Sequence, residues 1–331
     1  MIVGIDDSGS FKDEDMGLFA AVYIRPKKYE KLKKIFESWE NDLPDKCKKD
    51  GEVKGWLLSD EQLAHFAENI LLNNNVHGTK HHVFATPLVD FNIETIEYQR
   101  KRNVGQLLEG AEQYRKDGKK YYEIAQFYED MSKWLSKRSL KTLLKIELLA
   151  STIFGSINDS IIWSVNKGFD RELGQLTIRM DKGFIEKPIH MNYWLDTMRT
   201  ALWHLSYHGG GFIHLDTWTS NHPYVKRFNK FPKSRENLAV FTNEIRNCMN
   251  FYDSKEYFEI RMADIIASSY FRHYVKKEKL DSMDIFKKTR LYPSKTYTIV
   301  AVQPTKVETP NPYLDEIGGT SLKDLESKAE Q

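Results

Sequence analysis

The start of the chain alternates between short apolar runs and polar turn residues. An apolar run at 2–5 is followed at once by Asp6 and Asp7, and a second run at 17–24 ends before Pro26. Short runs rich in β-branched residues and closed by turn residues are typical of buried strands. Proline lacks the N–H that would continue the ladder. We therefore predict a hairpin of two core strands, the first of which ends in a pair of carboxylates.

Further along, the spacing of the apolar residues changes between the helical period and the strand period. Apolar residues three and four positions apart predict an amphipathic helix, and a Ser or Asp just before such a pattern predicts its N-cap. These signals predict helices at 29–39, 60–72, 191–207 and 257–272, and strands at 81–89, 174–180, 212–218, 247–252 and 296–302.

The segment 93–165 is helical in pattern almost throughout, with breaks near Gly118 and at Ser139. This is too much helix for one crossover between strands, so we predict an inserted helical subdomain. Lys and Arg outnumber Asp and Glu in 99–147, which is typical of a solvated helix face. The predicted domains are a first core segment at 1–92, the insertion at 93–170, a second core segment at 171–303 and a polar tail at 304–331.

Two further carboxylates stand at positions where folding alone does not require them. Asp181 follows the predicted strand at 174–180, and Asp264 lies inside the apolar helix at 257–272. A lone buried carboxylate loses its hydration, so it needs a positive group against it. Acids at the end of a rigid core strand are a common means of holding a cation or a phosphate. For Asp6 and the residues after it, a solvated turn is the other interpretation.

The composition is that of a soluble globular protein. The chain has 331 residues, of which 40% are hydrophobic and 29% are charged, and its formal net charge is +2. No apolar run is long enough to span a bilayer, and no signal peptide is visible. Cys47 and Cys248 are isolated in the sequence, which fits a reducing compartment. We therefore expect a cytoplasmic protein without a membrane partner, on which any basic surface is local.

A basic stretch with aromatic residues between its charges runs from 226 to 235 and contains no acid. Cations of this kind bind phosphates, and aromatic rings among them stack on bases. A surface segment without a partner is the other interpretation. The predicted nucleic-acid contacts are Lys226, Arg227, Lys230, Lys233 and Arg235, with Phe228 or Phe231 as the stacking residue.

Three motifs together resemble those of a known family. They are Ile5-Asp6-Asp7-Ser8-Gly9, Asp253-Ser254-Lys255 and Met262-Ala263-Asp264-Ile265-Ile266-Ala267. The predicted order of elements resembles the RNase H-like fold, an α/β fold with a mixed sheet flanked by helices, here with a large helical insertion. More narrowly, the motifs resemble the uncharacterised family called domain of unknown function 3800. That family usually opens with Asp-Glu-Ser-Gly and carries Leu-Ala-Asp-Leu-Ile-Ala in a late helix.

In the RNase H-like fold, acids from the first strand, the fourth strand and the last helix meet. The resemblance therefore implies that Asp6, Asp181 and Asp264 bind Mg²⁺ or Mn²⁺, with Asp6 shared between two ions. Such a site hydrolyses phosphodiesters, so the implied function is a metal-dependent nuclease with nucleic acid as its partner. The implied supporting residues are Asp7 and Asp253 in the outer shell, and Lys182 and Lys255 beside the scissile phosphate or as neutralising charges.

Other functions stay open at the level of sequence. One is a catalytically silent nucleic-acid-binding or protein-interaction module on the same fold. Another is a nucleotide-binding, actin-like phosphotransferase, for which the glycines at 209–211 are a weak nucleotide-loop candidate. A haloacid-dehalogenase phosphatase is excluded, because it needs acids at i and i+2 and position 8 is Ser. His204 and His208 have a zinc-type i, i+4 spacing, but without a third ligand they are interpreted as ordinary helix residues.

Overall fold

The computed structural model describes residues 1–8, 16–72, 78–87, 93–185, 187–208, 213, 215, 217–228, 235–291 and 298–299. The strands in these ranges are β1 (Ile2–Ser8), β2 (Met16–Ile24), β3 (Lys48–Lys49), β4 (Glu52–Val53), β5 (Thr79–Pro87), β6 (Thr177–Asp181), β7 (Met249–Tyr252) and β8 (Thr298–Ile299). The α-helices are α1 (Tyr29–Asp42), α2 (Asp60–Phe66), α3 (Ile93–Lys116), α4 (Tyr122–Ser136), α5 (Leu140–Asn166), α6 (His190–His208), α7 (Pro223–Arg227), α8 (Arg235–Cys248), α9 (Phe258–Tyr274) and α10 (Met283–Thr289).

Six of the strands form one mixed sheet in the order β7-β6-β1-β2-β5-β8. Strand β2 is antiparallel to both of its neighbours, β1 and β5. The other pairs, β1 with β6, β6 with β7 and β5 with β8, are parallel. The strands β3 and β4 form a separate two-stranded hairpin. Because β1, β6 and β7 are parallel, their carboxyl ends lie at the same end of the sheet.

Strand β2 shows that both faces of the sheet are covered. Successive side chains of a strand point to opposite faces. Leu18 and Val22 belong to the core that is shared with α1, α2, α9 and α10. Tyr23 points to the other face, where its hydroxyl donates to Asp159 of α5 at 3.0 Å. A strand that is buried on both faces needs a continuous apolar sequence, and this explains the unbroken run at 17–24.

The chain divides into two compact units. One unit comprises 1–90 and 145–301, and it holds the sheet and the helices that cover it. The other comprises 91–144 and 302–331. In its described part α3 packs against α4, and Arg115 pairs with Glu129 across the two helices at 2.7 Å. The predicted fold class is confirmed at the level of an α/β protein with a mixed sheet flanked by helices.

Several predicted elements have different bounds in the structure. The strand predicted from 174 begins at Thr177, because 170–175 forms a 3₁₀ turn. The helix predicted to end at 72 changes from α to π geometry at 67–71.

The prediction of a strand at 212–218 is wrong for its described residues, which are 213, 215, 217 and 218. Trp218 stacks on His222 with ring centroids 4.3 Å apart, and its indole N–H donates to Asp170 at 2.8 Å. These contacts hold the end of the segment in a turn, so Trp218 serves packing rather than strand pairing.

Candidate active site

Asp6 and Asp181 lie side by side at the carboxyl end of the sheet. Ile5 of β1 is paired with Met180 of β6, so the two aspartates come next on adjacent parallel strands. Asp6 is only 6% exposed. The sequence predicted both positions from the acids that follow apolar strands.

Helix α9 brings Asp264 to the same place. It can lie directly against β1 because Gly4 has no side chain, and a Cβ there would lie 2.5 Å from the carbonyl oxygen of Glu259. Gly4 and Asp6 share this face of the strand. Burial raises the pKa of Asp6 well above its usual range, and the charges of Asp264 and Asp181 raise it further. The three predicted acids therefore share one electrostatic environment.

Asp264 is anchored by its neighbours on two elements. Its Oδ2 accepts the backbone N–H of Gly55 at 3.2 Å, and its Oδ1 lies 3.5 Å from the hydroxyl of Ser268. Burial raises the pKa of Asp264 to about 6, because the opposing effects of Lys54 and the Gly55 N–H only partly compensate. Glu52 raises this pKa as well, so a fourth carboxylate belongs to the cluster.

Sequence reasoning missed Glu52 and Lys54. Glu52 is 8% exposed, and its Oε2 pairs with the Lys54 ammonium at 2.9 Å. Within the described part of the chain, the buried Oε1 of Glu52 has no hydrogen-bond partner. Burial disfavours the charged form of Lys54, but its pKa is raised overall by Glu52, Asp264 and Asp6. We call Asp6, Glu52, Asp181 and Asp264 the carboxylate cluster, and Lys54 faces it.

The local sequence gives little signal for this segment. Strand β4 has only two residues, which is too short for an alternating pattern to stand out. A polar stretch with one apolar residue, Val53, is typical of a loop. The turn that follows it, Gly55–Leu57, packs against α9, and the acids Asp264 and Asp6 act on the charge of Lys54.

Asp7 points away from the cluster, as expected for the neighbour of Asp6 on a strand. Its Oδ2 pairs with the ammonium of Lys145 on α5 at 2.9 Å, on the opposite face of the sheet. Burial raises the pKa of Asp7, although Lys145 opposes the shift. The backbone N–H of Asp7 donates to Oδ1 of Asp6 at 2.8 Å. Asp7 therefore supports Asp6 through its backbone.

The predicted supporting residues after β6 and β7 form a separate surface pair. Lys182, which is exposed, pairs with Asp253, and this contact lowers the pKa of Asp253. Asp253 also accepts the backbone N–H of Lys255 at 3.0 Å, while the Lys255 side chain is exposed. Asp253 is thus engaged in its own turn, and both lysines remain at the carboxyl end of the sheet.

The basic stretch at 226–235 is only partly available for nucleic acid. Lys226 is exposed at the end of α7. Arg227 donates to the carbonyl oxygen of Gly174 at 2.8 Å and therefore holds the fold together. Phe228 is 1% exposed, so the prediction that it stacks on bases is wrong. The other predicted contacts, Lys230, Lys233 and the side chain of Arg235, and the alternative stacking residue Phe231, lie outside the described residues.

The donor set of the cluster suits a hard divalent cation. Carboxylate oxygens are the ligands that Mg²⁺ and Mn²⁺ prefer, and Glu52 Oε1 is a buried acceptor without a donor in the described structure. As the side chains stand, no group of three or more His, Cys, Asp or Glu among the described residues is arranged to hold a metal ion. The chemistry therefore fits a cation, and binding would require some of these carboxylates to turn.

Two alternatives from the sequence fall on parts of the chain that are not described. The glycines at 209–211, proposed for an actin-like nucleotide loop, lie outside the described residues, as do the side chains of His204 and His208. In the described chain, no helix is both long and apolar enough to cross a membrane. No family model, curated protein or solved structure gives a significant match to the chain.

Proposed function

We propose that the protein is a metal-dependent nuclease that hydrolyses phosphodiesters at the carboxylate cluster. The observation that carries this proposal is the gathering of four acids, the buried Asp6 and Glu52 and the half-buried Asp181 and Asp264, in one environment that raises the pKa of Asp6, Asp181 and Asp264. Uncompensated buried carboxylates oppose folding. Four carboxylates beside the Lys54 ammonium leave an excess of negative charge, which suits a divalent cation.

The resemblance to the RNase H-like fold and to domain of unknown function 3800 is part of this proposal. The order of the main-sheet strands along the chain supports it. Asp6 lies on the first of these strands, Asp181 ends the fourth, β6, and Asp264 lies on a late helix that packs on β1. These are the positions at which that fold brings its acids together.

Asp6, Glu52, Asp181 and Asp264 would hold Mg²⁺ or Mn²⁺. When bound, the metal supplies Lewis acidity toward a phosphate oxygen and lowers the pKa of water. The chain itself fixes the ligands, since the N–H groups of Asp7 and Gly55 orient the carboxylates of Asp6 and Asp264. In the reaction a water oxygen bonds to phosphorus, the bond to the leaving oxygen breaks, and that oxygen takes up a proton.

Lys54 would take part in binding the substrate. Its ammonium faces the cluster and pairs with Oε2 of Glu52 at 2.9 Å. A phosphate arriving at the cluster brings negative charge to an already acidic site. A nearby ammonium offsets that repulsion, which is the usual role of lysine at phosphate sites.

The experiment is cleavage of end-labelled single-stranded and branched DNA and RNA with Mg²⁺ or Mn²⁺. We expect the wild type to cut at least one substrate, and Asp6→Asn and Glu52→Gln to lose activity by roughly 100-fold or more. Asp7→Asn should be milder, because Asp7 faces Lys145 on the other side of the sheet. If the whole panel stays uncut while metal still binds, the nuclease proposal is wrong.

A silent binding module is the second candidate, and two observations favour it. Lys54 already supplies a positive charge to the cluster, and no described group of acids is arranged as a finished metal site. In this case the cluster and Lys54 would form a structural ion-pair network. Titration calorimetry with Mn²⁺ separates the two candidates, because a structural network gives no binding heat and no change in Tm.

A further inference from the structure

The side chain of Trp56 is much more exposed than those of several other tryptophans of the chain. Its exposed fraction is 56%, whereas Trp39, Trp134, Trp163 and Trp194 are each 7% exposed or less. A large indole is normally buried, because its transfer out of water is favourable. Among the described residues, no hydrogen bond, ring contact or cation–π contact involves Trp56. A single exposed apolar side chain needs no functional explanation by itself. The residues around Trp56 therefore have to show whether it has a function.

The turn that carries Trp56 is held rigidly. Trp56 lies on a 3₁₀ turn at Gly55–Leu57, between the buried residues Val53 and Leu58. A Cβ on Gly55 would lie 2.7 Å from Ile265 Cα, so the turn is in direct contact with α9. Arg272 of α9 donates to the carbonyl oxygen of Leu58 at 2.7 Å. The indole is therefore presented to solvent by a fixed backbone and not by a loose loop.

The same short segment builds the carboxylate cluster. Glu52 and Lys54 precede Trp56, and the N–H of Gly55, the residue next to Trp56, donates to Asp264 at 3.2 Å. Consecutive Cα atoms are about 3.8 Å apart. The indole thus begins one residue away from the contact that positions Asp264. Trp56 is therefore two residues from Lys54 and one residue from the N–H group that holds Asp264, a candidate metal ligand.

We propose that Trp56 stacks on an unpaired nucleobase of single-stranded nucleic acid whose backbone phosphate lies at the carboxylate cluster. This inference rests on the proposed function and names the substrate class. Aromatic stacking tolerates any base, because every base has a π face. In a duplex both faces of an internal base are covered by its neighbours, so Trp56 selects single strands, and a specific base sequence is not required.

The test is fluorescence anisotropy in Ca²⁺ with two labelled ligands, a single-stranded oligothymidylate and a blunt-ended duplex. A gel checks that the oligonucleotides stay intact. Trp56→Ala should weaken single-strand binding roughly 5- to 150-fold, the range for loss of one stacked base. Trp56→Phe should retain most of the affinity, and duplex binding should change little. Leu72→Ala, at an apolar residue that is 40% exposed, is the matched control and should bind like the wild type.

A series of oligonucleotides, each with one abasic position at a different place, identifies the base that contacts Trp56. At one position the missing base should weaken binding to the wild type but not to Trp56→Ala, because the two changes remove the same contact. Equal wild-type and Trp56→Ala affinities for single strands overturn the inference. Dimerisation that Trp56→Ala abolishes, without an effect on nucleic acid, also overturns it, because a second copy then covers the indole.

The outcomes separate this inference from the proposed nuclease function. If the wild type cleaves and Trp56→Ala has an unchanged KM, the stacking inference is wrong and the nuclease proposal stands. If binding depends on Trp56 but no cleavage occurs in Mg²⁺ or Mn²⁺, the nuclease proposal is wrong and the stacking inference stands. A wild type that binds no nucleic acid with any of these metals removes both.

Discussion

The backbone N–H of Gly55 donates to Oδ2 of Asp264 at 3.2 Å, across 209 positions of sequence. This bond joins the segment that carries Glu52 and Lys54 to the helix that carries the last of the predicted acids. Asp264 was expected to need a positive group against it. It receives a backbone N–H and the charge of Lys54, which only partly offset its burial. The close approach of this segment to α9 is therefore central to the site.

Gly55→Ala should disrupt this approach. The added Cβ would lie 2.7 Å from Ile265 Cα and from Ser268 Cβ, so the turn has to move away from α9. We expect a loss of roughly 1–3 kcal/mol in the free energy of unfolding, the usual range for overpacking, together with weaker Mn²⁺ binding. Urea denaturation and calorimetry measure the two effects.

Gly51→Ala is the control for that substitution. Gly51 has a φ of +82° and open space around its Cβ position, so alanine there strains the backbone without touching α9. The substitution should lower the free energy of unfolding by about 1 kcal/mol and leave Mn²⁺ binding unchanged. A normal metal response in Gly55→Ala would mean that the packing of this turn does not position the cluster.

Asp264→Asn should affect stability in opposite ways without and with metal. In EDTA near pH 7 the free energy of unfolding should rise by roughly 1–3 kcal/mol, because the buried charge that shifts the pKa of Asp264 to about 6 is removed. Millimolar Mn²⁺ should raise the Tm of the wild type by mass action, and the variant should lose most of that gain. Differential scanning fluorimetry in both buffers checks this.

Asp284→Asn is the matched control, since Asp284 is exposed on α10 and paired with Lys287 at 2.7 Å. It should keep the full Mn²⁺ response. A wild type whose Tm does not respond to Mn²⁺ would count against the metal site and favour the silent module.

Buried His81 should make stability fall in mild acid. It is fully buried, and its ring nitrogens lie 3.2 Å from the Tyr270 hydroxyl and 3.3 Å from the Thr289 hydroxyl. Burial holds its pKa well below the usual value, helped by the electrostatic effect of His82 and by the positive charges of Arg290 and Lys80. Below about pH 6.5 His81 is protonated in the unfolded chain but stays neutral in the folded protein. As the pH falls, this difference lowers the free energy of unfolding by up to about 1.4 kcal/mol per pH unit.

The test compares the wild type with His81→Asn by urea denaturation between pH 7 and pH 5. The buried acids act in the opposite sense, because the pKa of Asp264 is raised and its protonation stabilises the folded state as the pH falls. The difference between the two proteins isolates His81, and the variant should lose less stability in acid. His65→Asn, at an exposed histidine, should keep the wild-type slope; a variant at position 81 with that slope would contradict the prediction.

The sequence predicted the elements whose pattern is set by burial. Strands β1 and β2 are apolar because the sheet buries them, and β6 and β7 alternate buried and half-buried residues. Helix α9 is apolar because it packs on β1 and β2. The wrong strand at 212–218 and the buried Phe228 share one cause. An apolar or aromatic residue in a loop looks the same in the sequence whether it pairs in a sheet, packs in a turn or faces a ligand.

By itself, the sequence determined where acids follow core strands, and so it identified Asp6, Asp181 and Asp264 as candidates. Their positions are local facts, since each is tied to the burial pattern of its own element. Only the tertiary structure added Glu52, Lys54 and the exposed Trp56, because a two-residue strand has no periodicity of its own. The orientation of that segment is decided by contact with α9, more than 200 residues away in the chain, where Gly55 leaves room for the helix backbone.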